Sequence, residues 1–197
     1  KNNILKQINL FFKKQNMKRK SLNAKKKIHN KLLINIKNPL IFKIYKNFEN
    51  FVKLNINNSS FSVAVSGGAD SLALTYLSKC YSIVNNVKVE YYHVDHGLRK
   101  ESSFEAKKLK FFLKNFDINC KILKWIGKKP NSNIQSVART KRYNLIYKAC
   151  LKKKINFILI AHHIDDLYEN FIIRLLRGSG LKGLTSFNQS KTRYNSK

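Results

Sequence analysis

From Pro39 onward, apolar residues recur at intervals of three and four: Leu40, Ile41, Ile44, Tyr45, Phe48, Phe51 and Val52. That spacing predicts an amphipathic helix with Pro39 near its first turn. A polar gap, "NINNSS", follows, and then short apolar runs alternate with longer helical patterns. "FSVAV" (61–65), "VKVEYYHV" (87–94), "CKILKW" (120–125) and "NFILIAH" (156–162) read as strands, and segments near 71–80, 101–116, 135–153 and 165–177 read as helices. In the third of these helices Ile134, Val137, Leu145 and Ile146 mark the inward side. Strands separated by helices imply right-handed βαβ units, so the predicted fold class is α/β, a doubly wound parallel sheet. Ligands of such sheets bind beyond the carboxyl ends of the strands, where the informative motifs of this chain begin. Residues 1–37 break the pattern, being Lys-rich, without glycine or acids, and only weakly periodic. They are expected to form a basic, partly helical N-terminal arm, disordered in part, ahead of a domain over 38–187 and a polar tail over 188–197.

Composition narrows the class. A chain of 197 residues with 43% hydrophobic and 12% aromatic residues suits one folded domain with an appendage. No apolar run reaches the roughly 18 residues that crossing a bilayer needs, so no membrane span is expected. The net charge of +30, from 40 Lys and Arg against 10 Asp and Glu, points to a polyanionic partner, nucleic acid before a membrane surface. Part of that excess goes with the abundance of Lys, Asn and Ile, as AT-rich coding produces. Arginine is scarce, and Arg99, Arg139, Arg142, Arg174 and Arg177 fall within motif-like stretches. They are better candidates than any lysine for bidentate contacts to phosphate or carboxylate. Cys80, Cys120 and Cys150 form no metal-type spacing and read as buried apolar residues of a reducing compartment. Cytoplasm is expected, with an organelle matrix or stroma as the alternative if the basic arm serves as a presequence.

At "SGGADS", 66–71, a strand ends, two glycines turn, and a helix opens. Glycine permits positive φ and close approach of backbone amides, and the helix start adds unpaired amides and partial positive charge. The result is an anion cradle that lacks both the Walker A ending and the dinucleotide GxGxxG pattern. A strand-to-helix turn capped by Asp70 or Ser71 is the plainer alternative. "YYHVDHGLR" sets His93, Asp95, His96 and Arg99 just past the next strand, as a functional loop or as a polar loop with one salt bridge. Arg139 and Arg142, three apart on a helix, share a face able to fork around one phosphate, or belong to a solvated basic side. "AHHIDDLYEN" packs Asp165, Asp166 and Glu169 beside His162 and His163, a set of hard oxygen donors suited to Mg²⁺, although acids also favour a helix start. "RLLRGSG" places Arg174 and Arg177 in a last turn before Gly178, as helix capping alone would.

"SGGADS" resembles the SGGxDS signature of the PP-loop family, the N-type ATP pyrophosphatases. With it, "HVDHGLRKES" (93–102), "ARTKRY" (138–143) and "AHHIDDLYENFIIRLLRGSGLKGL" (161–184) are similar, in order and spacing, to the motifs of the tRNA(Ile)-lysidine synthetases within that family. The resemblance covers roughly 40–187. It implies a ligase that uses ATP to adenylate the wobble cytidine of tRNA(Ile) with a CAU anticodon and then joins free lysine to it, releasing AMP and pyrophosphate. On that reading Ser66, Gly67, Gly68, Ala69, Asp70, Ser71, His93, Asp95 and Arg139 contact the nucleotide. Asp70, Asp165 and Asp166 hold Mg²⁺, and Asp70, Asp166 and His163 form the catalytic set. His96, Arg99, Arg142, Arg174 and Arg177 face lysine or RNA, and a homodimer is a further option. No membrane partner is implied.

The sequence departs from the family at "LYEN", where glutamine and then Glu-Thr are usual, and it ends in "NQSKTRYNSK" where relatives continue into further helices. A fragment, a reduced form and a decayed, non-catalytic RNA-binding remnant all fit that length. A tRNA 2-thiolation enzyme of the same superfamily is the nearest rival in chemistry, but it needs reactive or cluster-binding cysteines.

Overall fold

The computed structural model describes residues 22–127 and 130–161. Nearly all of them belong to one compact unit, Lys1–Ile160, and only Ala161 of the second unit, Ala161–Lys197, is described. Helical backbone over 22–36 (α1) leads into α2 (Pro39–Ile56), β1 (Phe61–Ala64), α3 (Ala69–Asn85), β2 (Val89–Asp95), α4 (Ser102–Lys114), β3 (Cys120–Lys124), α5 (Ile134–Leu151) and β4 (Phe157–Ile160). The predicted helix at 165–177 lies outside the described residues.

The four strands are all parallel in the order β3-β2-β1-β4. From β1 the chain steps to β2 and on to β3 in one direction, through α3 and α4. It then returns through α5 to the far side of β1. Right-handed crossovers therefore put α3 and α4 on one face and α5 on the other. Side-chain alternation agrees. Phe61, Val63 and Val65 join the core beneath the first helices with Tyr81, Tyr91 and Leu113, whereas Ala64, Tyr92 and Val94 join Ile146 and Cys150 of α5. Direction reverses between β1 and β4, and at such a switch point the two crossovers diverge and leave a crevice beyond the strand ends.

α2 starts as its sequence demands. Asn38 caps it through the Leu40 amide at 3.1 Å, with Pro39 in the first turn, and Asn57 in the left-handed region (φ 47°) ends it. Its apolar residues cover too much of the helix circumference for all to face the core. Tyr45, Val52 and Ile56 are buried, whereas Leu40, Ile44 and Phe51 stay exposed. Buried Glu49 accepts from Lys46 at 2.8 Å and from Asn85 of α3 at 3.3 Å, with Lys53 at 3.2 Å. Burial by itself would raise that carboxyl, but these partners hold it below the usual range.

The segment 22–36, expected within a partly disordered arm, is a packed helix. Leu32 and Ile36 are buried, with Ile28 and Leu33 against the same core, a sparse stripe that the surrounding lysines hide from a periodicity count. Polar contacts reinforce it: the Tyr76 hydroxyl donates to the Leu32 carbonyl at 2.8 Å, and His29 Nε2 donates to Asp117 at 2.8 Å. Asp117, at φ 55° between α4 and β3, also accepts from Lys79 of α3 at 3.0 Å, so one carboxylate joins three segments. Burial pushes its pKa up, but His29 and Lys79 outweigh that and hold it below the usual carboxylate range.

If α1 belongs to the domain core, Leu32→Ala should lower unfolding stability by about 2–4 kcal/mol. Ile34→Ala, at a residue 62% exposed, should stay within about 0.5 kcal/mol. Urea titration of the full chain measures both.

Candidate functional site

β1 is paired on both sides and buried along its length, and it delivers the chain to the carboxyl edge at the switch point. There Val65 still donates to the Tyr92 carbonyl at 2.8 Å, after which Ser66, Gly67, Gly68, Ala69 and Asp70 are all exposed. Gly67 has φ +97°, a conformation that side chains with a Cβ rarely adopt. Ser71, by contrast, is buried: its hydroxyl accepts from the Ser66 amide at 2.8 Å and donates to the Ala64 carbonyl at 3.4 Å. The hydroxyl thus closes the loop onto the strand that precedes it.

This geometry replaces the capping alternative. The residue at the cap of α3 is Gly68, and no side chain caps the helix. Ser71 is spent on the loop closure, and Asp70 stands exposed in the first turn. The first amides of α3 have no acceptor within the helix and carry the positive end of the helix dipole. An added Cβ at Gly68 would meet only Ser66 Oγ, at 3.8 Å, so the protein itself leaves that approach open.

β2 runs through Asp95, so His93 and Asp95 belong to its last residues rather than lying past it, and the loop that follows borders the same edge. His93 Nδ1 donates to the Val65 carbonyl at 2.8 Å, fixing the end of β1 immediately before the glycine turn. Asp95, only 4% exposed, accepts from the Gly97 amide at 3.0 Å and the Ser103 hydroxyl at 2.6 Å. Burial alone would raise its pKa, but those hydrogen bonds and the nearby charge of Lys124 hold it below the usual carboxylate range. Its carboxylate shapes the loop that follows and ties it to the start of α4. Arg99 ion-pairs with Glu105 at 3.0 Å on open surface, a contact worth little in water and readily exchanged for a stronger anion.

Arg139 and Arg142 take different partners. Arg142 lies on the stripe of α5 that buries Ala138, Ile146 and Cys150, and its Nε donates to His96 Nε2 at 3.4 Å. Arg139, three residues earlier and rotated away, is exposed with its guanidinium 5.6 Å from the Tyr143 ring. The sequence reading passed over Trp125, the only tryptophan of the chain. It is buried just past β3, donates its amide to the Asp95 carbonyl at 2.9 Å, and sets its ring edge-on to His96 at 6.3 Å. A lone tryptophan where a strand meets the site edge was the available signal. Arg142, His96 and Trp125 thus meet at the carboxyl edge from three elements distant in sequence. His163, Asp165, Asp166, Arg174 and Arg177 lie outside the described residues. Among the described residues no group of three or more His, Cys, Asp or Glu side chains is arranged to hold a metal.

A buried parallel strand, a glycine turn and an uncapped helix start at a switch point define an α/β phosphate-binding architecture. The PP-loop domain family matches residues 11–197, and the chain belongs to that family. Relatives named tRNA(Ile)-lysidine synthase match in Orientia tsutsugamushi, with 42% identity over 131 residues, and in Rickettsia africae, with 39% over 152 residues. These alignments cover 66% and 74% of this chain but only 30% and 31% of the relatives, so the chain spans less than a third of either relative's length. Among solved structures, the U34-tRNA thiolase NcsA from Methanococcus maripaludis, with its [4Fe-4S] cluster, is similar at a TM-score of 0.59 and 19% identity, covering 74% of this chain and 55% of that one. That likeness concerns the fold. No helix among the described residues is long and apolar enough to cross a membrane.

The Asp95 network predicts a pH signature. Because its folded pKa is depressed, its contribution is full above the unfolded value of about 4 and fades as pH falls through the folded value. Asp95→Asn should therefore cost about 1.5–3 kcal/mol at pH 7 and progressively less below pH about 4, as followed by denaturant titration across pH.

Proposed function

We propose that this chain carries the ATP-using site of a tRNA(Ile)-lysidine synthase. The observation that bears most weight is the uncapped start of α3 behind a glycine turn, with Asp70 exposed beside it. The uncapped amides at the start of α3 receive the phosphates of ATP. Asp70, a hard oxygen donor with no capping duty, fits Mg²⁺. Bound there, Mg²⁺ would supply charge neutralisation for the departing pyrophosphate. The wobble cytidine of the CAU anticodon attacks the α-phosphorus through its O2, and the bond to pyrophosphate breaks. The ε-amine of lysine then attacks the activated ring carbon, gives up a proton, and AMP leaves. Positioning and electrostatics carry most of such a reaction, and the chain need supply no nucleophile of its own. Arg139, Arg142, His93 and His96 border the nucleotide and the base, and Asp95 keeps their loop in shape.

The relatives' names support lysine transfer, and the cysteines weigh against sulfur transfer. Cys80, Cys120 and Cys150 are all buried, and Cys150 sits in the core on the opposite face of the sheet from the other two. Burial pushes the Cys80 thiol up to about 11 and Cys120 to about 12, leaving little thiolate at neutral pH.

Incubated with tRNA(Ile) bearing CAU, ATP, Mg²⁺ and labelled lysine, the protein should label the tRNA and release AMP and pyrophosphate in equal amounts. Sulfur incorporation from a donor, without lysine, would overturn the assignment. Asp70→Asn should abolish pyrophosphate release while tRNA binding persists. The two glycines should separate in a paired measurement of melting and ATP affinity. Gly67→Ala should cost about 1–2 kcal/mol of stability through its positive φ. Gly68→Ala, with backbone at φ −73° and ψ 165°, should melt like the parent yet bind ATP more weakly.

A further inference from the structure

We infer that the outward side of α4 is a binding face for an unpaired RNA strand. Phe104, Lys107, Lys108, Phe111 and Lys114 follow one another at helical intervals of three and four, so they share one side of the helix. The opposite side carries Ala106, Leu109 and Leu113 into the core. Both rings of the outward side are open to solvent, Phe104 by 60% and Phe111 by 72%, and all three lysines are exposed. One lysine already lies over a ring, with Lys108 Nζ 4.5 Å from the Phe104 centroid. At 1.5 Å rise per residue the two rings stand about 10 Å apart along the helix, so each would take a different base while the lysines meet the phosphates between them.

Exposed aromatic rings at regular spacing on a soluble helix need a partner, and the charge decides which. A second copy of a chain bearing +30 would bring lysine onto lysine. A polyanion whose bases present π-faces matches both features, because stacking and phosphate attraction together hold single strands. Duplex RNA hides its base faces and offers no such match. Two acids stand at the amino end of the helix, exposed Glu101 and Glu105, the latter paired with Arg99, against the three lysines of this side. α4 begins directly beyond the loop that follows β2, so the face adjoins the carboxyl edge. The inference does not rest on lysine transfer, since any RNA substrate entering that edge would use the same face.

A fluorescein-labelled, unstructured oligouridylate and a blunt RNA duplex serve as probes for the full chain. Phe104→Ala and Phe111→Ala, both at exposed helix positions, should each weaken oligouridylate binding by about tenfold and leave duplex binding unchanged. Lys107→Gln and Lys108→Gln should lower the salt dependence by about 0.7 each. Photo-crosslinking with iodouridine in the same strand should label the α4 peptide at Phe104 or Phe111. Unchanged oligouridylate affinity in both phenylalanine variants, or crosslinks confined to other segments, overturns the inference. So does self-association in the parent that the phenylalanine variants lose, read by sedimentation, because it would assign the face to a second copy.

Discussion

The site depends on a single constraint: β1 is a buried central strand whose hydrogen bonds are satisfied on both sides, and it must end at the edge of the sheet. Beyond Val65 the backbone has no neighbouring strand to pair with, so its polar groups need other partners. The chain solves this locally with the Ser71 hydroxyl, which takes the Ser66 amide and reaches back to Ala64, and with His93, which takes the Val65 carbonyl. Everything exposed in the loop is exposed because these two side chains have already closed its ends. The amides of the helix start remain, uncapped, where an anion can use them.

The same economy holds at the next strand. Asp95 is deeply buried, and a carboxylate so buried is stable only when its oxygens have donors, which the Gly97 amide of the following loop and Ser103 of α4 supply. His96 is thereby held against Trp125 and Arg142, and a loop that looks in sequence like a list of reactive groups becomes a frame around a few of them. Arg99 is left on the surface in a pair that costs little to break.

Away from the crevice, charge and packing divide the helices. Asp117 draws α1 and α3 together through His29 and Lys79 and makes the segment 22–36 part of the domain despite its lysine content. Among the described residues no acid pairs with the lysines on the outward side of α4, which remains a row of cations and rings. In a chain so rich in lysine, Glu49, Asp95 and Asp117 mark where the protein binds itself.

The order of elements, the parallel sheet and the glycine turn were legible in the sequence because they rest on local properties: strand-length apolar runs, helical periodicity, and glycine's tolerance of positive φ at position 67. Four ordered motifs were enough to indicate the family. The partners of each side chain were not legible. That Leu32 and Ile36 reach the core, that Leu40 and Ile44 do not, that Ser71 serves the loop, and that Arg142 and Arg139 part company all follow from which side of a helix faces the sheet. Trp125 joined the site only through tertiary contact with His96. Sequence periodicity defines a helix's faces but not which of two apolar faces is covered. That choice is made by the sheet's strand order and by the few buried acids, whose partners lie up to 88 residues away.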